Sequence, residues 1–64
     1  MTELDKVLAT VQELNRRGVK ANSQTVQVWG DLYYSERWLR ELLRRLKEMG
    51  RLQHPSRRVG YVAR

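Results

Sequence analysis

Ser35-Glu36-Arg37-Trp38-Leu39-Arg40-Glu41-Leu42-Leu43-Arg44-Arg45-Leu46-Lys47-Glu48-Met49-Gly50-Arg51-Leu52-Gln53-His54 decides the fold, because its periodicity changes at Gly50. Before the glycine, Leu39, Leu42, Leu43, Leu46 and Met49 recur at helical spacing and predict one buried stripe. Ser35 is a good N-cap and Gly50 a good stop, so a helix is predicted over about 36–49. After Gly50, residues 51–54 read as a strand with Leu52 inward. Val59, Tyr61 and Ala63 alternate on a second strand, with Pro55-Ser56-Arg57-Arg58 between the two as a turn. The predicted hairpin spans 51–64.

Upstream, Leu4, Val7, Leu8, Val11 and Leu14 form another helical stripe. Thr2 suits its N-cap, Glu3 and Asp5 its first turn, and Gly18 its stop, giving a helix over about 3–17. Val19-Lys20-Ala21 reads as a short extended piece. Asn22 and Ser23 are N-cap types that open a second helix over about 24–32, where Val28 and Leu32 form an i, i+4 apolar pair. Gly30 is expected inside this helix, since Leu32 continues its apolar face. The whole chain, 1–64, is therefore expected to be a single small domain, mainly α (α+β), with three helices and a C-terminal β-hairpin.

Charge divides the chain in two. Residues 1–31 carry four bases and four acids, whereas residues 32–64 carry nine bases and three acids, which accounts for the net charge of +6. Eight of those nine bases are arginine, whose fork matches phosphate oxygens and guanine edges bidentately. A neutral half that packs and a basic half that touches an anion is the expectation, with nucleic acid as the anion. There is no cysteine, and His54 is the sole histidine, so a metal or catalytic centre is not expected. Neither a cofactor nor a small-molecule substrate is expected, and no Gly-rich phosphate loop or nucleophile–base pair points to an enzyme. No apolar run reaches membrane-span length and Met1-Thr2-Glu3-Leu4-Asp5 lacks signal-peptide regions, so a soluble cytoplasmic or nucleoid protein is expected.

Val28-Trp29-Gly30-Asp31-Leu32-Tyr33-Tyr34-Ser35, followed by the leucines, Gly50 and Leu52, resembles the winged helix-turn-helix family of DNA-binding domains. The likeness covers nearly the whole chain, although Tyr33 stands where the turn commonly has a small residue and Trp29 where alanine is usual. It implies a three-helix winged helix, with helix 3 in the major groove of double-stranded DNA and the 55–58 wing on the adjacent backbone. Carried onto this sequence, the DNA-binding residues are Tyr34, Ser35, Arg37, Arg40 and Arg44 on the helix and Arg57 and Arg58 on the wing.

Each assignment has a plainer rival. Arg37, Arg40 and Arg44 fall within roughly 60° of one another opposite the leucines, and a charged face there is often only solvated. Arg37 and Arg40 either read guanine, contact phosphate or pair along the helix with Glu41. Ser35 caps the helix whether or not it also meets a phosphate. Arg57 and Arg58 either hold phosphate or the minor groove, or simply keep a hairpin soluble. Glu36 is read as a helix-dipole partner, Lys47 as solvated and His54 as a strand residue. Among Trp29, Tyr33, Tyr34 and Trp38, the core is expected to take Trp29 and Tyr34, and Trp38 to sit half-buried or at a homodimer contact.

The expected function is thus sequence-specific duplex DNA binding by a small transcriptional regulator or a mobile-element accessory protein, paired as a homodimer. The alternatives are a protein–protein adaptor for an acidic partner, and RNA or single-strand binding through the aromatic cluster.

Overall fold

The computed structural model describes residues 2–30 and 34–64. Three helices, α1 (Glu3–Arg16), α2 (Ser23–Trp29) and α3 (Glu36–Glu48), are followed by an antiparallel hairpin of β1 (Leu52–Ser56) and β2 (Gly60–Ala63). The three-helix-plus-hairpin architecture read from the sequence is the one present.

Local chemistry fixes the helix starts. Thr2 and Asp5 form a reciprocal capping box at α1, and Asn22 and Thr25 form another at α2. The Thr2 side chain, and then its backbone N–H, hold the Asp5 carboxyl below its ordinary value. This contribution is present above the usual carboxylate range and fades as acid protonates the group. Ser35 caps α3 by accepting from the Trp38 N–H at 3.2 Å.

The core is drawn from all three helices and β1, with Tyr61 and Ala63 of β2 packed partly buried against it. Val7, Val11 and Leu14 of α1 and Val26 of α2 meet Leu39, Leu42, Leu43 and Leu46 of α3, and Leu52 of β1 closes the layer beside Ala21. All are at most 2% exposed, so α3 is the element around which the others pack. Leu4 and Leu8 are only partly buried at its margin.

Several expectations need correction. Gly30 is the C-cap of α2 and not an interior residue, so the helix ends at Trp29; the Leu32 half of the expected pair lies outside the described residues. Val28, its other half, is 77% exposed because it lies roughly 200° round the helix from buried Val26. Trp29 is 47% exposed, its ring covered by the Arg17 guanidinium at 5.1 Å instead of by the core. Met49 lies beyond the last turn of α3, as its C-cap, and is exposed.

The hairpin also differs from its expected form. β1 continues through Pro55 to Ser56, and Arg57-Arg58-Val59 make the turn, so Val59 is exposed there and not inward on a strand. Register runs Leu52↔Ala63, Gln53↔Val62 and Ser56↔Gly60, leaving His54 and Pro55 opposite Tyr61 alone. This bulge is where a strand tolerates a proline, which has no N–H to donate.

The extended Val19–Ala21 piece is reduced to one parallel bridge between Ala21 and Gly60. There the Tyr61 N–H donates to the Ala21 carbonyl at 2.8 Å. Gly60 is buried with φ +81°, and a Cβ on it would stand 2.5 Å from the Ala21 oxygen. Gly60→Ala should therefore cost more than the ~1–2 kcal/mol of a left-handed residue alone. Gly50→Ala, at φ +79° with open space around it, should cost only that conformational part. Denaturant midpoints of the two variants measure the difference, and equal losses would mean that the Ala21 contact does not constrain the fold. Leu46→Ala, 1% exposed, should cost ~2–5 kcal/mol, read in the same way.

Candidate nucleic-acid interface

Burial of the leucines turns the charged side of α3 outward, and ion pairs along the helix then arrange it. The Glu36 carboxylate accepts from Arg40 at 2.8 Å and from the Ser23 hydroxyl at 3.1 Å, tying the first turn of α3 to the start of α2. Glu36 is thus a cross-link between helices, more than the dipole partner expected of it. Arg44 donates to Glu48 at 3.2 Å, and Arg45 lies 3.5 Å from Glu41. Arg45 also covers the Trp38 ring at 5.3 Å, so that half-buried Trp38 is shielded. The Arg40 and Arg44 side chains are each 70% exposed. Exposed i, i+4 pairs contribute only about 0.3–0.5 kcal/mol, so either arginine can exchange its carboxylate for another anion.

Between α3 and the hairpin lies a cleft of about 490 Å³. Arg40, Arg44 and Lys47 form its helical side, Arg57 and His54 its hairpin side, and Lys20 its end. Among the described residues, no carboxylate lines it. Its hairpin wall is a stacked pair, His54 on Tyr61, with ring centroids 4.3 Å apart and planes 9° from parallel. The bulge at His54-Pro55 accompanies this stacking across the strands.

The seven residues expected to bind DNA do not all come together. Arg40, Arg44 and Arg57 share the cleft. Arg37 and Ser35 line a separate hollow of about 350 Å³ with Trp38 and Glu41. Arg58 lines a different hollow, with Gly18, Val19 and Val62, so the two adjacent arginines diverge, and Lys20 borders both hollows. Tyr34 is partly buried against the core, and its carbonyl accepts from the Gln27 side chain at 2.7 Å.

Sequence reasoning missed Lys20, Lys47 and Asn15. Lys47 was legible, since it stands three residues after Arg44 and seven after Arg40 on the same strip of helix. Asn15 left a fainter signal, a polar residue four after Val11 and seven after Leu8, on the apolar stripe. Its Nδ2 donates to the Tyr61 carbonyl at 3.0 Å and its Oδ1 accepts from the Ala63 N–H at 2.7 Å. The side-chain amide pairs with the free edge of β2 as a neighbouring strand would.

Among the described residues, no group of three or more His, Cys, Asp or Glu is placed to hold a metal ion, and no helix is long and apolar enough to cross a membrane. No protein-family model matches the chain, and no significant match is found to a curated protein or to a solved structure.

Asn15 should control how firmly the hairpin is held beside α1. Asn15→Ala strands a carbonyl and an N–H, with an expected cost of about 1–3 kcal/mol. Amide exchange at Ala63 should accelerate in this variant more than exchange at Leu43. Uniform acceleration across the domain would show that the amide has no local role in docking the hairpin.

Proposed function

We propose that the chain is a winged-helix domain that binds double-stranded DNA, with α3 entering the major groove and the wing turn against the adjacent backbone. The observation that carries this is the convergence of Arg40, Arg44 and Arg57 on one cleft that no carboxylate among the described residues lines. Helix and wing then present a continuous cationic surface, as backbone neutralisation requires. Arg40 is the candidate for base reading, because its exposed guanidinium lines the cleft and its weak pair with Glu36 can give way to a base edge. Arg57 is the candidate phosphate contact. Regulation of transcription, or service to a mobile element, is the corresponding biological role, with pairing into a homodimer enlarging a footprint that is small for one copy.

A second proposal, a protein–protein adaptor, draws on Val28 and Trp29, two large apolar side chains that the fold leaves exposed on α2. Titration of duplex DNA, single-stranded DNA and RNA at several salt concentrations separates the two. Duplex preference with steep salt dependence supports the winged-helix function, whereas no binding of any nucleic acid at low salt favours the adaptor.

Two variants test the division of labour once a preferred duplex has been selected from a random pool. Arg40→Ala should leave folding intact and cost ~1–3 kcal/mol on the preferred duplex, with much less lost on random duplex. Equal losses would make Arg40 a phosphate contact. Arg57→Ala should weaken all duplexes alike and flatten the slope of log affinity against log salt by ~1. An unchanged slope would remove the wing from the backbone.

A further inference from the structure

The cations of the cleft are of two kinds. Arg40 and Arg44 are compensated by Glu36 and Glu48. Lys20, Lys47 and Arg57 have no carboxylate partner among the described residues. These three come from the α1–α2 connection, the last turn of α3 and the wing turn, and the fold alone brings them to one place.

The backbone at Lys20 is held from two sides. Its carbonyl accepts from the Thr25 hydroxyl at 2.7 Å, and its neighbour Ala21 is bridged to Gly60. Its stem packs over Gly60, with Cγ 2.9 Å from where a Cβ would be. The residue that permits the chain to pass beneath Lys20 is the same glycine that roots the wing.

We propose that this cleft is a discrete binding site for the phosphate of a nucleotide, with Lys20, Lys47 and Arg57 around the phosphate oxygens and the stacked His54–Tyr61 pair as the wall beside the sugar and base. The chemistry favours phosphate over a carboxylate. A carboxylate is planar and is satisfied by a single arginine fork, whereas a phosphate offers oxygens in several directions to donors on separate elements. Two lysine ammonium groups and one guanidinium on three elements suit the second shape. A phosphate monoester also carries about −1.5 to −2 charge near neutrality, matching a cluster of uncompensated cations better than a single negative charge does. The aromatic wall adds a surface that bases use for stacking irrespective of their identity. The phosphate can be the terminal monoester of a nucleic-acid strand or that of a free nucleotide, and the site is defined without reference to duplex DNA.

The test is a titration of the whole chain with inorganic phosphate, adenosine 5′-monophosphate and adenosine, with chloride holding ionic strength constant. The ring-proton resonances of His54 and Tyr61 are followed by NMR. The expected result is a saturable shift of both rings with phosphate and with the monophosphate, tighter for the latter, and a much weaker response to adenosine. Lys20→Ala and Lys47→Ala should each weaken the monophosphate about fivefold, the scale of one partly exposed charge contact. Lys6→Ala, exposed on α1 and outside the cleft, should leave its affinity unchanged, and melting temperatures confirm that all three variants fold. Shifts no larger than chloride produces, or equal losses in all three variants, would overturn the site.

Competition identifies the source of the phosphate. Displacement of the monophosphate by short oligonucleotides that bear a terminal phosphate monoester assigns the seat to a strand, and failure of displacement assigns it to a free nucleotide. Duplex binding that survives both lysine substitutions, without any phosphate response, would overturn the site and leave the winged-helix function standing. A phosphate response without duplex binding would do the reverse.

Discussion

The free edge of β2 governs everything that follows from this fold. A two-stranded hairpin is marginal by itself, and its outer edge exposes backbone groups that must find partners. Here the partners are one backbone carbonyl, from Ala21, and one side-chain amide, from Asn15. They lie before α2 in the chain, whereas the hairpin follows α3, so these bonds close the molecule on itself. They hold the wing against α1 and the α1–α2 connection. Without that placement, Arg57, His54 and Tyr61 would not face Arg40, Arg44 and Lys47, and the cleft would not exist.

Charge in this molecule is organised by pairing as much as by count. Glu36, Glu41 and Glu48 each stand four residues from an arginine, in an arrangement that steadies an isolated helix by a few tenths of a kcal/mol per pair. These pairs keep the helix ordered before any partner arrives. The uncompensated bases at the cleft lie off that ladder, in the loop, at the helix end and in the turn. Among the described residues, paired and unpaired bases thus occupy different parts of the fold.

The sequence made the architecture legible and the wing only in outline. Helix α3 was readable because its leucines obey one period and its ends carry a serine and a glycine, signals that act within a few residues. Val28 and Trp29 misled because α2 is two turns long, too short for a period to show, and its core-facing side begins with a polar residue, Ser23, that is itself buried. Pro55 misled because proline marks turns far more often than bulges, although an edge strand accepts it where no N–H is needed. At the candidate site, Arg40, Arg44 and Arg57 could be nominated from residue type together with the resemblance to winged-helix domains. Lys20 could not, since its place depends on a bridge to a residue 40 positions away. The divergence of Arg57 and Arg58 was equally hidden, because the turn's conformation and not its composition separates them.

The Ser56↔Gly60 pairing leaves only Arg57, Arg58 and Val59 beyond the hairpin's last rung, all three exposed. Root and tip of the wing are consequently under different constraints. Gly60 is fixed by steric contact with the chain beneath it, while the tip contributes nothing to the core. Insertions, deletions or altered charge can accumulate between Ser56 and Gly60 at little expense to the folded state. Descendants of this chain could thus diversify their ligands by lengthening or recharging three residues, on a scaffold that stays as it is.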